Sequence, residues 1–308
     1  MSAWAGAGAF LGVGWGVFRD YPFTLWSSLT AVLVGVLCAY LGVYLVLRRW
    51  SLLGDVLGHA ALPGIAALWW GAGALAWWWY LPAAWVSALA AVVVLAWMSR
   101  RAKDRADASM AIVLAGSFGL GAVLWSRGQR AGHGPSAVQD MLFGNAAAVT
   151  EAQAWGTLGM VMVCIAAVAL CHRPLALALF DPSYARVIGL PVQRLEGLLL
   201  LVVALAVVVS LPMVGVVLVA AMLVLPAQAA LLLRWRWRAT LVASVALGAL
   251  AALAGAWASI RWAGVATGPA MVIAASVLFA GLWWWTGRTS RGGSSPVPVQ
   301  GQEPSHVG

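Results

Sequence analysis

Nine long runs of apolar residues dominate the sequence, and each is close to the length of a membrane-spanning helix. A helix crosses the hydrocarbon core of a bilayer in about 20 residues. Only 9% of the residues are charged, whereas a soluble globular domain carries about 25%. The sequence therefore excludes soluble, collagen-like and coiled-coil proteins, and it predicts an all-α integral membrane protein with about nine transmembrane helices. The runs cover residues 23–47, 56–75, 81–98, 108–125, 154–171, 195–211, 214–233, 239–260 and 267–285.

Basic residues are distributed unevenly between the loops that join these runs. The chain has a net charge of +9, but its arginines lie between apolar runs and do not form a face that would bind nucleic acid. Fourteen of the 18 basic residues fall in one set of alternate loops and four fall in the other. Because cytoplasmic loops are enriched in Lys and Arg, we predict that the N-terminus lies outside and the C-terminus inside.

The runs divide the chain into three parts. Residues 21–286 form the predicted transmembrane domain, preceded by a short, Gly-rich interfacial segment over residues 1–20. Residues 287–308 are rich in Gly, Ser and Pro, a composition typical of a disordered tail. The predicted outer loop over 126–153 contains a semi-apolar stretch, 138–149, which we interpret as a short re-entrant helix.

Two patterns indicate how neighbouring spans meet. Only Pro212 and Met213 separate the runs 195–211 and 214–233, which predicts either a tight turn or one broken helix. Small residues at helical spacing predict close contact between helices, because small side chains let two backbones approach. These residues are Ala31, Gly35, Ala39, Gly248 and Ala252.

Asp55 and His59 are the ionisable residues that most need an explanation. They are four residues apart, so on a helix they lie one turn apart on the same face. A carboxylate and an imidazole suit a divalent cation such as Zn²⁺ or Mn²⁺. A structural hydrogen bond between the two side chains is the simpler interpretation of the spacing alone. Two ligands also cannot complete a metal's coordination shell, so a metal site would need a second copy of the pair.

Other candidate polar residues have simpler explanations. Cys171 and His172 could bind a soft metal, but a buried thiol beside an interfacial histidine is the more ordinary arrangement. His133 lies in the long outer loop, where a histidine needs no function. Glu196 begins a span and is predicted to pair with Arg194 or Arg186.

Enzyme motifs are absent from the sequence. It contains no H-E-x-x-H zinc-protease motif and no G-x-S-x-G nucleophile motif. It also lacks the G-x-x-x-x-G-K-[ST] phosphate-binding loop. The sequence therefore predicts no catalytic site, and the chain cannot bind and hydrolyse ATP through such a loop.

Two segments carry a specific resemblance. Residues 51–64 read SLLGDVLGHAALPG, and residues 180–192 read FDPSYARVIGLPV. With weaker matches elsewhere, they make the chain similar to the permease subunits of ATP-binding-cassette (ABC) importers for zinc, manganese and iron. The likeness extends from about residue 21 to about residue 285. It implies a multi-pass protein of the bacterial cytoplasmic membrane that moves one of these metals inward.

The resemblance also implies partners and roles. The permease would form a dimer, dock separate cytoplasmic ATPase subunits and receive its metal from an extracytoplasmic binding protein. Asp55 and His59 would line the metal pathway, with the transported ion as cargo and no permanently bound cofactor. Residues 180–192 would couple the permease to the ATPase. The coupling positions in this sequence are Asp181, Ala185, Arg186 and Gly189.

Two alternative functions remain open at the level of sequence. One is an ABC permease for a metal chelate such as a siderophore or vitamin B12, which would use a wide pathway without ionisable ligands. The other is a secondary metal transporter driven by protons through Asp55 and His59, which an internal inverted repeat would favour. Zinc, manganese and iron are not distinguished, because one Asp–His pair suits all three.

Overall fold

The computed structural model describes residues 22–72, 77–101, 106–130, 150–262 and 266–290, and the regular structure in these ranges is helical. Eleven helices follow one another along the described chain. They are α1 (Pro22–Leu47), α2 (Leu53–Ala72), α3 (Trp77–Arg101), α4 (Ala106–Arg130), α5 (Glu151–Leu170), α6 (His172–Phe180), α7 (Pro182–Val187), α8 (Val192–Val214), α9 (Val216–Leu232), α10 (Trp237–Arg261) and α11 (Thr267–Ser290).

Each of the nine predicted apolar runs forms a helix, but not every one qualifies as a span. Within the described ranges, seven helices are long and apolar enough to cross a membrane, namely α1, α3, α4, α5, α8, α10 and α11. This finding confirms an all-helical, multi-pass membrane protein. Helix α2 falls outside the seven because the polar residues Asp55 and His59 lower its hydropathy. Helix α9 falls outside because it has only 17 residues.

The junction of α8 and α9 is a single glycine. Helix α8 continues through Pro212 to Val214, so the break comes later than the predicted Pro212-Met213 connection. Gly215 adopts φ 86°, a left-handed backbone conformation that favours glycine. Its N–H still donates to the Leu211 carbonyl at 2.9 Å, and α9 begins at the next residue.

Helix α9 lies at the centre of the bundle. It packs against α1, α2, α10 and α11. In its contacts with α1 and α2, the helix backbones approach each other closely. A Cβ on Gly42 of α1 would overlap the Leu223 carbonyl oxygen of α9. A Cβ on Gly58 of α2 would lie 3.2 Å from the Val216 carbonyl oxygen. Gly54 and Gly58, which lie beside the Asp–His pair, therefore allow α2 to pack closely against α9.

The predicted close contact between small residues is also present. Helices α1 and α10 cross where Gly35, Ala39, Gly248 and Ala252 meet. The Ser244 hydroxyl on α10 donates to the Ala39 carbonyl oxygen at 2.8 Å and ties the two helices together within the buried core.

Several sequence predictions fall beyond the described ranges. The interfacial segment over 1–20, the semi-apolar stretch 138–149 and His133 all lie outside the described residues. Helix α11 continues to Ser290, so residues 287–290 of the predicted tail are helical, and residues 291–308 lie outside the described part.

Candidate functional site

The Asp55 and His59 side chains lie on one face of α2, but they do not satisfy each other. Both are half-buried. Among the hydrogen bonds and ion pairs of the described residues, none joins the two. The buried His59 Nδ1 atom has no hydrogen-bond partner there. The structural Asp–His hydrogen bond, which the spacing alone favoured, is therefore not formed.

The pair sits close to the beginning of α2. With a rise of about 1.5 Å per helical residue, Asp55 and His59 lie about 3 and 9 Å along the axis from Leu53. Asp55 is in the first helical turn, where the helix dipole stabilises a negative charge. The preceding turn carries Arg48 and Arg49, which the charge distribution assigns to the inner side. The pair is thus expected in the inner half of the membrane.

Phe118 of α4 is the neighbour of His59 that sequence reasoning missed. The two rings meet edge to face, with centroids 5.2 Å apart and planes at 86°. Phe118 is 51% exposed although α4 packs closely on α2 through Gly121 and Gly128. No sequence signal joins residues 59 positions apart, so only the helix packing reveals this contact.

The pair is an incomplete set of ligands. In the described residues, no group of three or more His, Cys, Asp or Glu side chains is close enough to hold a metal ion. A carboxylate and an imidazole provide two donors, whereas zinc sites have four ligands. Within one chain, Asp55 and His59 therefore do not complete the coordination shell of a metal ion.

The second candidate region, residues 180–192, contains the short helix α7 between two sharp caps. The Asp181 carboxylate accepts the Tyr184 N–H at 2.9 Å, and Pro182 follows as the first helical residue, where proline is favoured. Ala185 is fully buried and anchors the helix to the bundle. Gly189 ends the segment with φ 81°. The sequence thus specifies the beginning and the end of α7 locally.

The outward side of this region is apolar. Val187 is 84% exposed and Tyr184 is 54% exposed, and Phe180 and Ile188 are exposed beside them. Arg186 is also exposed. A Cβ on Gly189 would meet nothing within 4 Å, so the turn is open to an approaching surface. Exposed apolar side chains around an arginine are typical of an interaction surface.

Two polar residues near this region have partners that the sequence did not predict. Glu196 forms an ion pair with Arg48 of the α1 end, and not with Arg194 or Arg186. His172 has hydrogen-bond contacts at both ring nitrogens, to Tyr44 at 3.0 Å and to Trp237 at 3.3 Å. These hydrogen bonds leave His172 no free nitrogen for the soft metal that its position beside Cys171 had suggested.

The described part of the chain is a multi-pass helical bundle with a short capped helix between two of its longer helices, and the sequence has no phosphate-binding loop. The chain belongs to the ABC 3 transport family, whose sequence profile matches residues 20–285. The protein is accordingly a membrane subunit without enzymatic activity.

Two relatives show how far this likeness extends. The chain is 34% identical over 262 residues to the manganese transport system membrane protein MntC of Halalkalibacterium halodurans, covering 85% of this chain and 86% of that protein. It is 36% identical to the chelated iron transport system membrane protein YfeD of Yersinia pestis, covering 84% of each chain.

Two solved structures share the fold. PsaBC from Streptococcus pneumoniae, in complex with a Fab, matches with a TM-score of 0.76 and 26% identity, covering 89% of this chain and 95% of that one. An inward-facing conformation of a putative metal-chelate type ABC transporter matches with a TM-score of 0.65 and 18% identity over 85% of each chain. The second likeness concerns the fold alone.

Proposed function

We propose that this permease carries a divalent transition metal, manganese or iron, across the cytoplasmic membrane into the cell. The observation that carries the proposal is the Asp55–His59 pair, which shares one helix face while the buried His59 Nδ1 has no partner. Ionisable residues inside a membrane are costly to bury, and by default they are candidate functional residues. The relatives named for manganese and for chelated iron support these two metals, and zinc, which suits the same ligands, has less direct support.

Two copies of the chain would complete the pathway. A two-fold axis beside α2 would bring two carboxylates and two imidazoles together, which makes four ligands from a pair that is too small alone. Such a site would bind the ion reversibly, and transport requires binding that is firm enough for capture and weak enough for release.

We also propose that α2 and α9 cross the membrane, which gives nine spans. Helix α2 has 20 residues, enough for the hydrocarbon core. Helix α9 is buried among four other helices, so its short length does not leave its backbone ends in lipid. Nine crossings keep the Arg-rich loops on one side.

Helix α7 is the proposed contact with the ATPase. Its exposed apolar residues and Arg186 offer a surface to a cytoplasmic partner, and the buried Ala185 passes the motion of that partner to the bundle. An extracytoplasmic binding protein would deliver the metal at the opposite side. Membership of an ABC family supports ATP hydrolysis as the energy source over the proton-driven alternative.

Uptake by the assembled transporter tests this function. The permease, its ATPase and its binding protein are reconstituted in vesicles, and uptake of Mn²⁺, Fe²⁺ and Zn²⁺ is measured singly and with each as competitor. We expect ATP-dependent uptake of Mn²⁺ or Fe²⁺. Uptake of a metal only as its organic chelate would contradict the proposal and support the chelate alternative.

A further inference from the structure

The C-terminal end of α1 contacts the two helices that flank α7, namely α6 and α8. Tyr44 and Arg48 lie one helical turn apart there. Tyr44 contacts the start of α6, the helix that leads into α7, while Arg48 contacts the start of α8, the helix that leads away from it. These contacts join residues 128 and 148 positions apart in the sequence.

The first contact is an ordered chain of polar groups. The Trp237 indole N–H can only donate, so it donates to His172 Nε2 at 3.3 Å. A neutral imidazole then carries its proton on Nδ1 and donates to the Tyr44 hydroxyl at 3.0 Å. The Tyr44 hydroxyl is left to donate to the Tyr40 hydroxyl at 3.4 Å. Tyr44 itself is fully buried, so this chain lies within the body of the bundle.

Trp237 also contacts both ends of α6. Its ring lies parallel to the His172 ring, with centroids 6.0 Å apart. It meets the Phe180 ring edge to face at 5.4 Å. His172 and Phe180 are the first and last residues of α6. Between them Leu175 is buried against the bundle, so α6 is held along its whole length.

The second contact is the ion pair between Arg48 and Glu196. Both side chains are only partly exposed, at 18% and 29%, which strengthens an ion pair relative to one in water. The Arg48 guanidinium also lies over the Trp50 ring, 5.6 Å from its centroid. The start of α8 is thereby fixed to the turn that follows α1.

We infer that Tyr44, His172, Trp237, Arg48 and Glu196 act as positioning residues that transmit movement of α7 to the helix carrying Asp55 and His59. The inference rests on the proposed coupling role of α7 and adds the route to the metal pair. Displacement of α7 by the ATPase also displaces α6 and α8, and both of these helices contact the C-terminal end of α1. Only residues 48–52 separate α1 from α2. Movement of the end of α1 therefore also moves this short connection and the beginning of α2.

A cysteine probe in the connection between α1 and α2 tests whether movement of α7 reaches this connection, and the test does not depend on which metal is transported. Ser51 is exposed and lies between α1 and α2. In the full complex, with Ser51→Cys and Cys171→Ser, labelling at position 51 is compared with and without ATP and vanadate, which leave ADP and vanadate trapped in the ATPase after hydrolysis. The same comparison is made with Trp237→Phe, which keeps the ring but removes the N–H donor. Trp235→Phe is the matched control, because Trp235 is exposed two residues away.

We expect vanadate trapping to change the labelling rate in the parent and in Trp235→Phe, and the change to disappear in Trp237→Phe. A rate that does not respond to ATP in the parent, or a full response in Trp237→Phe, overturns the inference. Failure of the proposed cargo would appear separately, as absent metal uptake by a parent complex in which the labelling still responds.

The charge pair provides an independent test by rescue. Arg48→Glu and Glu196→Arg are each expected to lower transport per ATP hydrolysed by about fivefold or more, within the usual range of coupling between sites. The double exchange restores the pair in reverse and should recover most of the loss. Equal losses of transport and ATP hydrolysis, or no recovery in the double variant, would show a purely structural contact and contradict the inference.

Discussion

Gly35 and Gly248 lie so close together that neither can carry a side chain without displacing the other. A Cβ on Gly248 would sit 2.6 Å from the Gly35 carbonyl oxygen, and a Cβ on Gly35 would sit 2.9 Å from the Gly248 carbonyl oxygen. Neighbouring spans in a bilayer gain no hydrophobic stabilisation from each other, so close van der Waals contact of this kind provides much of their association. This helix crossing holds α1 against α10, and α1 leads directly into the short connection that precedes Asp55.

Gly248→Ala should therefore destabilise the bundle by about 1–3 kcal/mol, the usual cost of overfilling a packed core. The added methyl would meet backbone, which cannot move aside like a flexible side chain. Gly159→Ala in α5 is the matched control, because its Cβ would meet nothing within 4 Å. Thermal unfolding in detergent compares the two variants. Equal midpoints would contradict the packing argument.

Asp55→Ala and His59→Ala should each reduce metal uptake strongly while the protein still inserts and assembles. We expect a loss greater than the roughly 10–100-fold that follows from removing a supporting partner of a metal ligand. Uptake in reconstituted vesicles measures the effect, and size-exclusion chromatography checks assembly. Val56→Leu, a change at the neighbouring apolar residue, is the control. Transport at the parental rate in both alanine variants would show that the metal passes elsewhere.

Gly189→Asn should uncouple ATP hydrolysis from transport without disturbing the fold. Asn tolerates the left-handed backbone of this turn better than other residues do, so the change mainly adds bulk to a surface that is open in the free chain. Gly197→Asn, at an exposed position in α8 with equally open surroundings, is the control. ATP hydrolysis and uptake are measured on the same vesicles. An unchanged ratio in Gly189→Asn would remove this turn from the ATPase contact.

Cysteines at Ser51 and Ser126 should be labelled from opposite sides of the membrane. Both residues are exposed, and α2, α3 and the first 20 residues of α4 lie between them. Three crossings place them on opposite sides, whereas two crossings, with α2 not spanning, would place them on the same side. Membrane-impermeant reagents applied to right-side-out and inverted vesicles distinguish these cases. The background carries Cys171→Ser, since Cys38 and Cys164 are buried.

Much of the fold could be predicted from the sequence because the bilayer imposes a simple length and polarity requirement. Each predicted apolar run became a helix, and the small residues of α1 and α10 met as expected. The end of α8 was misjudged, because Pro212 is tolerated inside the helix and Gly215 makes the break. Helix α2 is not among the seven helices apolar enough to span a membrane, since Asp55 and His59, the candidate metal ligands, reduce its hydropathy.

The candidate site was only partly predictable. The four-residue spacing placed Asp55 and His59 on one face, and the resemblance drew attention to residues 180–192, where Asp181 and Gly189 lie at the two ends of α7. The spacing could not reveal that the pair forms no hydrogen bond with itself. It also could not predict the contact of Phe118 with His59, because that contact depends on how α4 packs against α2.

The sequence by itself determined the membrane class, the approximate positions of the nine apolar helices and the candidate ligand residues, because hydrophobic length and helical periodicity act over a few neighbouring residues. Only the tertiary structure decided which polar groups meet. Arg48 pairs with Glu196 instead of its sequence neighbours, and His172 lies between Tyr44 and Trp237. These contacts join distant parts of the chain, and they follow from the crossing of helices that only a fully packed bundle fixes.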